Sequence, residues 1–217
     1  MMNTLKKVLV PLLLLLLTPN IAWTQSASEN SDQFLGELLD GKYRNGFFNF
    51  SISVPPEMYV LSDQDRSVYR KAGVEMFLKD VVKGRAAFEK SASQEVLIFS
   101  LAVAQPAANG VSSLNIGAVR QPEGTTAIDI CDDAAIFLVR NPNYTLTSKT
   151  KAIKRAGKDF ARVGFEVVSG EQTLSLMYYA TMRKGYSITF VITYLSTNDL
   201  DSLEKVLESL EFSEAVS

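Results

Sequence analysis

Histidine is absent from the 217 residues, and cysteine and tryptophan occur once each, as Cys131 and Trp23. Without histidine, Ser-His-Asp and Cys-His nucleophile systems are excluded, as is every histidine-containing zinc site. A single cysteine allows neither an intramolecular disulfide nor a thiolate cluster, so stability has to come from a packed core. Cys131 falls on an apolar helical stripe and reads as a buried, inert thiol rather than a reactive one. No glycine-rich phosphate loop is present. An excess of one charge is missing too: 22 Lys and Arg stand against 24 Asp and Glu, a net charge of −2. A mildly acidic chain has no global attraction for nucleic acid or for anionic membranes. No catalytic, cofactor-binding or metal-ligating residue is assigned, and no cofactor is expected.

What is present begins with Lys6-Lys7, followed by the apolar run Val8 to Leu17 with six consecutive leucines. A basic start, a short apolar run and small polar residues after it make a secretory signal peptide. About ten apolar residues cover roughly half of a bilayer's hydrocarbon core as a helix, so the segment is read as cleaved rather than as a stable span. Cleavage before Gln25 would use Ala22 and Thr24 as recognition residues, and cleavage before Ala27 would use Thr24 and Ser26. No cysteine closes the apolar run, so a lipid anchor is not expected. The expected address is secreted or periplasmic. Loss of Lys6 and Lys7, with no acidic residue before Glu29, moves the charge from −2 to −4. Loss of Trp23 leaves tyrosine as the fluorophore. The expected organisation is a signal peptide over 1–24, a polar tether and short helix over 25–40, and one domain over 41–213.

Along that domain, Asp32 to Leu39 suggests a brief helix ended by Gly41. Asn45-Gly46 reads as a turn into Phe47 to Val54, where Phe48, Phe50, Ile52 and Val54 alternate with polar residues as in a half-buried strand. Asp63 to Lys90 has helical character, Glu95 to Ala104 is β-like, and Ser113 to Arg120 is a further strand. Thr126 with Asp129 three residues on marks a helix start, and Asn141-Pro142-Asn143 its end. Phe160 to Val168, Thr173 to Met182 and Tyr186 to Tyr194, joined by short connections, read as an antiparallel meander. A last helix starts near Thr197 and carries Leu200, Leu203, Val206, Leu207 and Leu210 on one side. The fold class is therefore α+β: a single α/β/α sandwich with a central, mainly antiparallel sheet, a C-terminal β-meander and a terminal helix packed on the sheet.

The spacing Tyr43-x-Asn45-x-x-Phe48-x-Phe50-x-Ile52-x-x-Pro55 resembles the opening strand of the PsbP/DcrB-like superfamily, whose fold also includes the Ran-binding Mog proteins. Val206-Leu207-Glu208-Ser209-Leu210-Glu211-Phe212 is similar to the terminal helix of the same group. The resemblance implies a central antiparallel sheet with helices on both sides and a non-catalytic accessory or binding role. Two departures stand out. Glu57-Met58 replaces the Gly-Trp that often follows the proline, and a histidine metal ligand like that of photosystem members cannot exist here. Neither photosynthetic metal retention nor Ran binding is carried over.

Several residue groups carry functional side chains at suggestive spacings. Ser148-Lys149-Thr150-Lys151 matches the S-x-x-K of serine acyl-transfer enzymes, but a strand would place Ser148 and Lys151 on opposite faces, and no S-D-N or K-T-G follows. Lys149, Lys151, Lys154, Arg155, Lys158 and Arg162 form the densest basic cluster, either a solvated hairpin tip or a dock for an acidic partner or phosphate. Asp129, Asp132 and Asp133 read as a solvated helix face rather than a calcium site. Of two glycosylation sequons, Asn49 falls inside a predicted strand and Asn143 in a loop. Tyr178, Tyr179, Tyr186 and Tyr194 either line a groove or are ordinary strand residues. The expected function is an exported, non-enzymatic accessory or binding protein contacting a protein or cell-envelope component. The alternatives are a small-molecule or lipid carrier with a pocket between sheet and helices, and a carboxylate or Ser-Lys hydrolase.

Overall fold

The computed structural model describes residues 34–62, 64–67, 95–105, 111–169 and 172–213. The leader and most of the helical segment expected over Asp63 to Lys90 lie outside them; residues 64–67 are helical. The described elements are β1 (Glu37–Leu39), β2 (Lys42–Asn45), β3 (Phe50–Ser53), β4 (Tyr59–Val60), β5 (Val96–Ala102), β6 (Ser113–Arg120), α1 (Ala127–Leu138), β7 (Tyr144–Arg155), β8 (Lys158–Ser169), β9 (Gln172–Arg183), β10 (Tyr186–Tyr194), α2 (Thr197–Glu208) and β11 (Glu211–Phe212).

Seven strands form the main sheet in the order β4-β5-β6-β10-β9-β8-β7, and every adjacent pair is antiparallel. Tight turns dictate much of this. Ala156 and Gly157 join β7 to β8 with φ of 47° and 72°, and Lys184 and Gly185 join β9 to β10 with φ of 52° and 78°. Two successive left-handed residues match the twist of a hairpin, and glycine adopts the second at little cost.

The sheet is covered on both faces. On the first, α1 lies across β7, β8 and β9. Thr126 and Asp129 cap its start reciprocally, and Ile130, Cys131, Ala134 and Leu138 are buried against Val163, Phe165, Leu176 and Tyr178. The β5-β6-β10 part of this face is polar: Ser100, Ser113, Asn115, Thr189 and Thr193 are all buried. On the second face, α2 and a small sheet of order β1-β2-β3-β11 bury Phe48, Phe50, Ile52, Leu203, Val206 and Leu207 against Leu114, Ile116, Phe190 and Ile192. The expected α+β sandwich with its meander and terminal helix is therefore present, with this second sheet added beside α2.

Three local expectations are corrected. Residues Glu37–Leu39 of the expected short helix form strand β1, because Asp40 and Gly41 adopt left-handed φ (51° and 69°) and fold it back onto β2. The strand expected from Phe47 starts at Phe50; Asn49, at φ 53°, lies in the preceding turn and not in a strand. The terminal helix stops at Glu208, and Glu211–Phe212 pair with Ser51 and Phe50 instead of continuing it.

Candidate functional site: a basic ribbon beside the terminal helix

Strand β7 is the edge of the main sheet, and most of its side chains are exposed. With β8 it forms a long two-stranded ribbon ending in the Ala156-Gly157 turn, and all six basic residues singled out in the sequence lie on it. The structure brings them together in pairs that sequence spacing does not show. Lys151 stands directly across from Arg162, and Arg155 directly across from Lys158. Like charges directly opposite one another destabilise a sheet. Only Lys154, across from Asp159, finds an acid opposite, at 2.5 Å. That pair is largely solvent-exposed and contributes little.

Between ribbon and helix sits a polar cluster. The apolar side of α2 is held on the sheet by Leu203, Val206 and Leu207, which leaves Glu204 at the margin facing β7–β9. One Glu204 oxygen accepts from the Tyr179 hydroxyl and the other from Arg155 Nη2 at 2.8 Å. The Arg155 guanidinium also lies 5.1 Å from the centre of the Tyr179 ring, a cation–π contact. Burial, reinforced by the Glu204 carboxylate, pushes the Tyr179 hydroxyl well above the usual tyrosine range, while neighbouring Arg155 and Arg162 oppose the shift. Arg155 is thereby committed to the fold, although its Nη1 is buried with no hydrogen-bond partner. Lys149, Lys151, Lys158 and Arg162 make no ion pair among the described residues. Arg162 stands against the Tyr179 hydroxyl, and Lys149, Lys151 and Lys158 are the exposed cations left to meet an external anion.

The ribbon also corrects the reading of Ser148 and Lys151. Ser148 stands across from Gly164 and Lys151 across from Arg162, with irregularities in register between Leu146 and Lys151. Gly164 and Arg162 are two residues apart and share a face, so Ser148 and Lys151 share one too. The extra bulged residue overturns the simple alternation. Gly164 has a specific role at this point: a Cβ there would stand 2.6 Å from Ser148 Oγ and 2.9 Å from Thr147 Oγ1. Ser148 and Lys151 are both exposed on an open strand surface.

The remaining candidates separate. Asp129 is engaged in the helix cap, with Thr126 N donating to its Oδ2 at 2.8 Å, and these bonds hold its carboxyl below the usual range. No group of three or more acidic or thiol ligands suited to a metal occurs among the described residues. Cys131 is fully buried and its thiol is pushed up to about 12, mainly by burial. Adjacent Tyr178 and Tyr179 point to opposite faces of the sheet, so the four tyrosines do not line one groove. One surface groove of about 910 Å³ runs beside the small sheet between Leu35, Arg44, Asn49, Glu211 and Phe212. Another, of about 580 Å³, lies between Arg120, Glu123, Lys184 and Tyr186. Neither lies between the main sheet and a helix. Glu204 was missed in the sequence; its one available signal was its place beside the apolar stripe of α2.

No helix among the described residues is long and apolar enough to cross a membrane. No protein-family model matches the chain, and no curated protein does. Solved structures do. The cyanobacterial PsbP of Synechocystis is 13% identical over 79% of this chain and 91% of its own length, with a TM-score of 0.50. LpqN of Mycobacterium tuberculosis, described as involved in cell envelope biogenesis, is 10% identical over 76% of this chain and 83% of its own, with a TM-score of 0.47. The Ran-binding protein Mog1p of Saccharomyces cerevisiae is 8% identical over 79% and 94%, with a TM-score of 0.42. At such identities the likeness concerns architecture alone, and the conclusion it carries is that the chain has a PsbP-like α+β fold.

Proposed function

We propose that this chain is exported and works as an accessory domain that binds a protein or cell-envelope component rather than making or breaking bonds. The observation that carries the reading is the β7–β8 ribbon. It displays Lys149, Lys151 and Lys158, which have no ion-pair partner among the described residues, on a two-stranded hairpin, while the chain as a whole is slightly acidic. A local patch against the sign of the whole molecule suits a defined partner better than general adhesion to polyanions. The leucine-rich leader supports export to a secreted or periplasmic location, with no stable span after cleavage.

Two measurements on the native protein test this. N-terminal sequencing from the secreted or periplasmic fraction is expected to begin at Gln25 or Ala27; an intact Met1 start in the cytosolic fraction would overturn export. Lysine-directed cross-linking in intact cells is expected to concentrate on Lys149, Lys151, Lys154 and Lys158 with one recurring macromolecule. Cross-links spread evenly over surface lysines would remove the ribbon as the binding surface.

A further inference from the structure

The ribbon offers more than charge, because one of its strands has no neighbouring strand on its outer side among the described residues. β7 is twelve residues long and pairs with β8 alone among the described strands. Ala152 is exposed although Ala161, directly across from it, is fully buried, so nothing among the described residues lies over this stretch. Proteins usually blunt such an edge with shortness, proline, bulges or charge, since its free N–H and C=O groups are a template for another strand. Here the irregular register ends at Lys151, and from Lys151 to Arg155 the pairing with β8 is one-to-one. Those five residues are a regular, uncovered edge.

Lysines on an edge strand can be explained as protection against unwanted pairing. That explanation covers β7 but not β8. Arg162 lies on the second strand, where it guards no edge, and it stands across from Lys151 at a cost to the sheet, whereas Arg155, across from Lys158, has its counter-charge in Glu204. An acidic side chain on a further strand, placed across from Lys151, would lie within about 5 Å of it on the same face and offset the repulsion from Arg162. Arg155 already has its acid in Glu204 of α2. Between these two, Ile153 shares their face and is half-buried against the core.

Resting on the binding role proposed above, we infer that Lys151–Arg155 accepts an extended acidic peptide as an eighth strand. Its pattern is acidic–x–apolar, the acid answering Lys151 and the apolar residue covering Ile153, while Arg155, held by Glu204, closes the accepting stretch. Backbone hydrogen bonds would supply attachment and the alternating side chains selectivity, as in strand addition generally.

The test is fluorescence anisotropy of the purified protein with a labelled peptide carrying a Glu-Thr-Val-Thr core. Three controls accompany it: the same peptide N-methylated at alternate amides, a scramble that places the acid next to the valine, and inorganic phosphate as competitor. Saturable binding is expected, with a loss of at least about tenfold on methylation or scrambling and no displacement by millimolar phosphate. Lys151→Glu is expected to weaken the parent peptide to a similar degree and to favour a partner with lysine in place of the facing glutamate. Arg155 is left intact because it also holds Glu204. Equal binding of the methylated peptide would show charge attraction without strand addition and overturn the inference, as would no binding at all. If the peptide fails while cross-links on the ribbon lysines persist in cells, only the strand-addition inference falls; if both fail, the binding reading falls with it.

Discussion

Replacing Glu204 with alanine tests whether the Tyr179–Glu204–Arg155 cluster ties α2 to the meander. The substitution removes one carboxylate but orphans two donors. The Tyr179 side chain is fully buried, and losing the acceptor of a buried hydroxyl costs about 1–3 kcal/mol. The ion pair is intermediate in character, with side chains 17% and 22% exposed. Breaking a fully buried pair costs about 3–5 kcal/mol and an exposed one about 0–1 kcal/mol, so roughly 2 kcal/mol is appropriate here. The two losses share a residue and do not simply add, which puts the expected destabilisation near 3 kcal/mol. Against a total of about 5–15 kcal/mol this is a large fraction, equivalent to a fall in Tm of about 6–12 °C. Urea unfolding followed by tyrosine fluorescence and circular dichroism would measure it. The triple replacement Glu204→Leu, Arg155→Met and Tyr179→Phe leaves no buried donor without a partner, and should recover most of the loss. A single-variant cost below about 0.5 kcal/mol, or a triple variant no more stable than the single one, would refute the reasoning.

Other consequences follow from burial. Tyr43, Tyr144, Tyr178 and Tyr179 are all pushed above the ordinary tyrosine range, chiefly by desolvation. Both folded and unfolded forms are protonated below about pH 10, so stability is intact there; above it the unfolded tyrosines ionise first and stability falls as pH rises. Tyrosinate absorbance should therefore lag behind that of the denatured chain and then appear together with loss of circular dichroism; all 8 tyrosines titrating normally in a folded protein would contradict this. The Cys131 thiol, pushed up to about 12, should resist maleimide at pH 8 and label fully in denaturant, and rapid native labelling would place it at the surface. Leu207→Ala, at a position with no exposure, should cost about 2–5 kcal/mol in denaturant titrations, and a loss under 1 kcal/mol would mean that α2 is not packed as described.

The legible parts of this fold were those whose periodicity extends over many residues. Ala161, Val163, Phe165 and Val167 alternate along β8, and Leu203, Val206 and Leu207 recur along α2; each pattern has one way to hide its apolar side. The small sheet was harder to read because β11 has two residues, and its pairing with β3 is decided by contacts such as Lys42 with Glu211, 169 positions apart. The bulged segment of β7 defeated a strict two-residue period, which is why Ser148 and Lys151 were placed on opposite faces. The cluster around Glu204 joins residues 25 and 49 positions apart, and no local pattern marks such a meeting. Its members were visible separately: Arg155 as one cation of a run and Tyr179 as one tyrosine of four.

The ribbon lies where the packing demands on the main sheet run out. β9 and β10 are buried along most of their length, and β10 fills the face under α2 and the small sheet with Ile188, Phe190 and Ile192. β7 meets α1 on one face only and has no described neighbour on its outer side, so burial constrains little beyond Tyr144. Charge on such a strand is free to vary, and a sequence selected only for stability has no reason to set cations against cations across a ladder. Protection of the edge would be served by lysines on β7 with acids opposite them on β8, the arrangement that Lys154 and Asp159 in fact adopt. Lys151 with Arg162 departs from it, while Arg155, across from Lys158, takes its acid from α2 in Glu204. The cations of β8 have a measurable signature. Lys158→Glu would set an opposite charge across from Arg155 at the exposed hairpin end, and it should stabilise the isolated protein by about 0.2–1 kcal/mol while weakening its hold on an acidic partner. Stabilisation accompanied by unchanged binding would show that the cations of β8 are incidental.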